Sequence, residues 1–328
     1  MSVAAHSPAE LKPDDALADA ARPTSMLSDM ATLVKLRLTG MVVITTLVGF
    51  FLGSGRSVHW LVLLAVGLGT WLLAGSASAL NQWWETGPDS LMLRTRMRPL
   101  PTGRLTRSTA LLLAIFTGTF GAVLLLVGTN ALVCGMGLAN LVIYAFIYTP
   151  LKRITTLNTL VGAVCGGIPP LMGYAAATGH LALAAWLLAG ILFIWQIPHF
   201  LALSWMYKDD YARAGFRMLP MRDPRGVLTA NMAVLYSLLL LPISVALTLL
   251  GSAGAAFAAI AAALGTALVL LAIGFRMQRT RTTARRLFLA SVIYLPLLLG
   301  ALVIDRVPHE SHATGARHPL VLHVTHYY

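Results

Sequence analysis

Residues 60–89 read WLVLLAVGLGTWLLAGSASALNQWWETGPD, an apolar run that ends abruptly in amides, paired tryptophans and carboxylates. No charged residue falls between 60 and 80, and about 20 apolar residues is what a helix needs to cross a hydrocarbon core of ~30 Å. The pattern repeats along the chain. Further apolar runs lie at about 38–54, 109–127, 131–149, 157–177, 181–206, 229–250, 254–274 and 287–304. Of the 328 residues 57% are apolar or aromatic and only 11% charged, with mean hydropathy +0.76, which excludes a soluble domain of this length. The expected fold is all-α: a polytopic membrane protein of about nine transmembrane helices around a central cavity. A single transmembrane domain at 31–306 is expected between a flexible tail at 1–30 and a second tail at 307–328. The first tail carries Asp14, Asp15 and Asp19 and lacks the basic start and short apolar core of a secretory signal. The second carries His309, His312, His318, His323 and His326, whose irregular spacing suits solvation better than metal binding.

The net charge of +12 invites a nucleic-acid partner, but its distribution argues for topology instead. Of the 24 Lys and Arg, 21 fall before the first span or in the loops after spans two, four, six and eight. That strict alternation marks one face as cytoplasmic, with the N-terminus inside and the C-terminus outside, and the odd number of spans follows from it independently of hydropathy. The expected location is a cell (inner) membrane. Cys134 and Cys165 lie inside spans, where small buried side chains are a better account than redox or metal chemistry.

Acidic residues are scarce, 12 in all, and they concentrate in two of the basic loops. After span two come Asn81, Glu85 and Asp89, recurring every fourth position; after span six come Asp209 and Asp210, with Asp223 further on. On a continued helix a four-residue step turns the side chain by only ~40°, so all three polar groups of the first set would share one face. Gly87 and Pro88 interrupt that helix, since proline removes a backbone bond and clashes with the preceding turn. Asp89 is therefore expected on a loop or at the start of a following short helix, with the alignment secure for Asn81 and Glu85. Carboxylates and an amide oxygen are hard ligands suited to Mg²⁺, which binds one or two carboxylates and completes its shell with substrate phosphates. Cations accompany both sets: Arg94, Arg96, Arg98 and Arg104 follow the first, while Lys208, Arg213 and Arg217 surround the second. A metal with cations beside it is what a departing diphosphate requires; ordinary salt bridging is the plainer account of any single Arg. Each acidic set is also followed by Leu-Pro, at Leu100-Pro101 and Leu219-Pro220, a faint internal echo of two related halves facing one another. Apolar walls would keep an allylic cation dry and admit an isoprenoid tail from the bilayer, so prenyl transfer fits better than hydrolysis of a soluble phosphate ester.

Longer blocks point to a family. Asn81-Gln82 with Glu85 and Asp89, then Arg94-Thr95, Arg98-Pro99-Leu100-Pro101 and Gly103, open the series. Tyr148 to Arg153, Gly166 to Pro170, Trp195 to Phe200, Tyr207 to Tyr211, and Gly215 with Met218-Leu219-Pro220 continue it in order. From about Lys35 to the last span the chain resembles the intramembrane UbiA-type prenyltransferases, and within them the haem-farnesylating branch. The resemblance implies transfer of a farnesyl group from farnesyl diphosphate to the 2-vinyl group of haem b, with addition of water, giving a hydroxyethylfarnesyl haem (haem O). Haem b is then a substrate, Mg²⁺ the cofactor, the lipid bilayer the solvent, and haem A synthase a candidate downstream partner; nucleic acid has no place. Carried over residue by residue, Asn81, Glu85 and Asp89 would hold one Mg²⁺, and Asp209 or Asp210 another or the diphosphate. Arg94, Arg98, Lys152, Arg153 and Lys208 would bind diphosphate or haem propionates.

Other residues keep two readings. His199, following Pro198 within a span, would approach the haem iron or steer the porphyrin, or else simply satisfy a carbonyl that the proline frees. Tyr144, Tyr148 and Tyr211 would shield a carbocation through their ring faces or merely pack. Prenylation of an aromatic or quinone-precursor acceptor is the nearest alternative function. A secondary transporter is the different class, and it would place essential charges near the membrane midplane rather than at span ends.

Overall fold

The computed structural model describes residues 25–307; most of the expected N-terminal tail and all of the C-terminal one beyond Val307, with its five histidines, lie outside the described residues. Residues 25–30, expected in the tail, instead begin a short helix α1 (Met26–Leu33), capped by the Ser25 hydroxyl. Among the described residues nine helices are long and apolar enough to cross a membrane. They are α2 (Leu36–Gly53), α3 (Trp60–Leu91), α4 (Arg107–Gly128), α5 (Ala131–Val142, continued through a π-helical turn to Leu151), α6 (Asn158–Thr178), α7 (Leu183–Met206), α10 (Val227–Leu249), α11 (Ala255–Gln278) and α12 (Arg281–Ile304). Two short helices, α8 (Lys208–Arg213) and α9 (Leu219–Arg222), fold within the loop after α7.

Two boundaries differ from the hydropathy reading, each for a local reason. α3 runs through Gly87 and Pro88 to Leu91, so the expected break is absent. Pro88 cannot donate to the carbonyl four residues back, but tertiary contacts hold the next turn: Asp89 is ion-paired to Arg98, and Thr95 Oγ1 donates to the Asp89 carbonyl at 2.9 Å. α12 starts six residues before the apolar run because Thr280 and Thr283 form a reciprocal capping box there.

Neighbouring spans pack in chain order, and α12 returns to both α7 and α2, so the helices close a ring. Lipid-facing positions stay apolar, as at Phe116 and Phe120 on α4. α2 and α6 approach so closely that glycine is required on both. A Cβ on Gly173 would overlap the carbonyl oxygen of Thr46, and one on Gly49 the carbonyl oxygen of Pro170. Without water to expel, such backbone-to-backbone packing is what holds membrane helices together. At the end of the bundle opposite the acidic residues, the Asp305 carboxylate accepts from Phe257 N at 2.6 Å and Arg306 donates to the carbonyls of Phe51 and Ser54, tying the end of α12 to α11 and α2.

Candidate active site

Because α3 continues past Pro88, Asn81, Glu85 and Asp89 do share one face, and all three are buried. Each has an assigned neighbour. Lys35 Nζ donates to Asn81 Oδ1 at 2.5 Å, and Asn81 Nδ2 donates to Thr149 Oγ1 at 3.0 Å. Lys152 Nζ lies 2.7 Å from Glu85 Oε1, and an Arg98 guanidinium nitrogen 2.6 Å from Asp89 Oδ2. The second oxygen of Asp89 is buried with no hydrogen-bond partner. A buried carboxylate oxygen left open is costly, and it is the kind of vacancy a cation fills.

Lys35 was not among the residues singled out by sequence. A lone lysine at the start of the first span looks like any interfacial anchor, and only the fold turns it inward. The chain reaches α2 through a left-handed residue at Lys35 itself (φ 51°), which swings the side chain onto α3. Burial, then the nearby positive charges of Arg98 and Lys152, push its pKa down to about 7 against the pull of Glu85 and Asp89. Lys152 behaves oppositely. Burial would lower it, but the Glu85 carboxylate and the surrounding tyrosines hold it above its ordinary value.

The two acidic loops meet. Leu93 N donates to Asp210 Oδ1 at 3.3 Å, and the Arg94 guanidinium lies 5.3 Å and 6.0 Å from the ring centres of Tyr207 and Tyr211. Met92 packs into one apolar cluster with Tyr211, Phe216 and Met218. Within this joint the neighbouring carboxylates differ. Asp210 is buried and paired with Arg213, whereas Asp209 is exposed at the rim of a second hollow beside Arg94 and Arg281. Asp223 stands apart from both, accepting from Thr229 N at 2.7 Å to cap α10. Lys208 lies over the Trp205 ring at 5.1 Å, and Arg153 is exposed without an ion pair among the described residues. Tyr211 belongs to the inter-loop cluster rather than to the chamber.

Among the spans lies a chamber of about 410 Å³, walled by α2, α3, α5, α6, α7 and α12. Its lining is mostly apolar, and Thr39, Ser78, Tyr148 and Tyr144 bring it within a turn or two of Lys35, Asn81 and Lys152. Tyr148 touches both regions, since its ring centre is 4.6 Å from Lys152 Nζ. From the opposite wall come Gln196 and His199, with Gly166 leaving the room that the Gln196 amide occupies. The arrangement is thus a mostly apolar chamber that ends about a helical turn from a buried set of carboxylates and cations. Among the described residues no three His, Cys, Asp or Glu side chains gather closely enough to hold a metal by themselves. An amide and two carboxylates, one of them with an open oxygen, do fit a Mg²⁺ that takes its remaining ligands from phosphate.

Comparison with known proteins agrees with this geometry. A model of the UbiA prenyltransferase family matches residues 42–293. Protoheme IX farnesyltransferase of Solibacter usitatus is 41% identical over 289 residues, covering 85% of this chain and 99% of that protein. The human mitochondrial protoheme IX farnesyltransferase is 41% identical over 286 residues, of which the match covers 64% of its length and 87% of this chain. Among solved structures, a digeranylgeranylglyceryl phosphate synthase superposes with a TM-score of 0.72 at 15% identity, over 85% of this chain and 98% of that one. A UbiA homologue from Archaeoglobus fulgidus bound to GPP and Mg²⁺ superposes with a TM-score of 0.60 at 12% identity, over 84% of this chain and 99% of that one. At these identities the structures speak for the fold.

Proposed function

The chain belongs to the UbiA prenyltransferase family, and from that premise we propose that it transfers the farnesyl group of farnesyl diphosphate to the 2-vinyl group of haem b, water adding to give the hydroxyethylfarnesyl product. It is a multi-pass membrane enzyme. The observation that carries the site assignment is an apolar chamber whose lining reaches Thr39, Ser78 and Tyr148, about one helical turn from Lys35, Asn81 and Lys152, at the end of the bundle where Glu85 and Asp89 are buried against Lys152 and Arg98. Charged groups at one end of the bundle, rather than at its middle, suit a transferase better than a transporter.

Asn81, Glu85 and Asp89 would hold one Mg²⁺, with Asp209 the candidate for a second. When bound, Mg²⁺ supplies positive charge to the diphosphate as the carbon–oxygen bond breaks. Lys152 and Arg98, now held by carboxylates, sit where they would turn toward phosphate oxygens and share that load. The rings of Tyr144 and Tyr148, tilted against each other at 5.3 Å, offer their faces to the allylic cation. The chamber walls keep water from capturing the farnesyl cation before the vinyl group does. The sorting of 21 of the 24 basic residues to the acidic end supports a cytoplasmic side for it, and haem A synthase is the candidate to receive the product.

Detergent-solubilised protein given haem b, farnesyl diphosphate and Mg²⁺ should yield a more hydrophobic haem, separated by chromatography and identified by mass. Product with an aromatic acceptor instead of haem would move the chain to another branch of the family.

The two neighbouring aspartates should separate experimentally. Asp209→Asn should lower turnover by roughly 10²-fold with the unfolding midpoint unchanged, because Asp209 is exposed. Asp210→Asn should lower the midpoint as well, because its carboxylate joins the two loops. Equal midpoints in the two variants would remove that distinction.

Lys35 makes diphosphate binding proton-linked. With a pKa of about 7, it is charged in acid and increasingly neutral above neutrality. In the absence of Mg²⁺, whose charge would act the other way, an anion placed beside it favours the charged form and raises that pKa, so metal-free binding takes up a proton at about pH 8 and none at about pH 5.5. Calorimetry of an unreactive farnesyl diphosphate analogue in buffers of different ionisation heat reads the uptake directly. Lys35→Met should abolish its pH dependence, and uptake that persists would assign it to another group.

A further inference from the structure

The product's hydroxyl group requires a water molecule inside a chamber otherwise built to exclude it, and a base to take that water's second proton. We infer that His199 is that base, accepting the proton at Nε2 as water closes the reaction on the porphyrin side. The inference deepens the proposed function and rests on it.

The hydrogen bonds decide which ring nitrogen is available. Ser291 Oγ donates to the Phe288 carbonyl at 2.6 Å, which uses its only hydrogen. His199 Nδ1 lies 2.9 Å from the same Oγ, so the ring must be the donor there, carrying its proton on Nδ1. The lone pair is then on Nε2, which has no hydrogen-bond partner among the described residues. The ring is held rigidly between Trp195, stacked at 5.0 Å, and Phe288 at 4.8 Å, and Trp195 is itself pinned by donating from Nε1 to the Ser291 carbonyl at 2.8 Å. Such fixed orientation of a neutral imidazole is the arrangement a general base requires.

Position and chemistry agree. His199 lines the chamber, and its imidazole is the one basic lone pair among the lining side chains; the rest are apolar groups, hydroxyls, amides, an indole and a thiol. It sits seven residues before the end of α7, about 10 Å inside the charged rim by helical rise. The steps balance. The vinyl π electrons bond its terminal carbon to farnesyl C1 as the carbon–oxygen bond breaks, and that bonding pair leaves with the diphosphate. The inner vinyl carbon is left cationic, a water oxygen bonds to it, and the water's proton passes to Nε2. One positive charge moves from carbon to imidazole, so the chamber gains no net charge and no new desolvation cost. When His199 is absent, the departed diphosphate, left beside the newly formed carbon–carbon bond, is the remaining proton acceptor: it takes a proton from the adjacent carbon, whose C–H pair becomes the double bond, giving an alkene lighter by one water.

Product composition therefore tests the role in a way that a structural role would not move. His199→Ala and His199→Gln, assayed with haem b, farnesyl diphosphate and Mg²⁺, should shift the remaining farnesylated haem from the hydroxylated form toward the alkene by at least tenfold in ratio, and added imidazole should restore the hydroxylated form in His199→Ala. Ser291→Ala, which loosens the ring without removing it, should shift the ratio in the same direction by less. Variants that make less product at the wild-type ratio overturn the inference, as does a lost haem absorption change at an unaltered ratio, which would mark His199 as an iron contact. If wild-type protein farnesylates no haem, the proposed function fails and the inference falls with it; if wild type does so and the ratio stays fixed, the inference alone fails.

Discussion

Glu85→Gln abolishes turnover, with an expected loss of roughly 10³-fold or more, while the protein still folds. The substitution removes one negative charge and keeps the size of the side chain and an acceptor for Lys152, whose ammonium now lies 2.7 Å from Glu85 Oε1. Neutralising one member of a buried pair leaves the other charge uncompensated and costs stability as well. The two effects separate in Glu85→Gln combined with Lys152→Met, which should recover the unfolding midpoint without recovering activity. Farnesyl transfer to haem b and thermal unfolding in detergent, measured on the same preparations, provide the check. Wild-type turnover in the single variant would eliminate the metal role assigned to the first acidic face.

Gly173→Ala is expected to be the most disruptive of the glycine-to-alanine changes among the described residues. Its Cβ would overlap the Thr46 carbonyl oxygen and approach Phe50 N to 2.7 Å, both backbone atoms of α2 that no rotamer change can move. Overpacking typically costs 1–3 kcal/mol, and a clash with rigid backbone should reach about 3 kcal/mol or beyond because the two helices must separate along their length. Because α2 also carries Lys35 at its start and lines the chamber, activity should fall with stability. Gly274→Ala provides the comparison: nothing lies within 4 Å of the added atom, and its midpoint should stay at or above wild type. Similar midpoints for the two variants would mean that α2 and α6 are not in the backbone contact described.

The spans were legible because bilayer thickness imposes one length on every crossing helix, and a run such as 60–80 has no other stable solution. The acidic sets were legible for a related reason. In a chain with 12 carboxylates, several gathered in two equally oriented loops stand out against the apolar background. What misled was local rule against tertiary context. Pro88 reads as a break, yet the pairing of Asp89 with Arg98 carries the helix through it. Asp223 reads as part of the second acidic set, yet it caps a helix six residues on. Tyr148 and Tyr211 read alike, but one lines the chamber and the other joins the loops.

Periodicity, hydropathy and the sorting of basic residues by themselves determined that the chain is a multi-helix membrane protein with acidic sets on a single face, because these depend on the solvent around each segment and not on its partners. Only the tertiary structure decided which groups meet: Lys35 with Asn81, Lys152 with Glu85, Arg98 with Asp89, and a histidine whose free nitrogen is chosen by a serine on another helix. Apart from Arg98 with Asp89, nine positions away, those pairings join residues far apart in the chain, and a side chain's partner, protonation and tautomer are set by the few ångströms around it once the helices have closed.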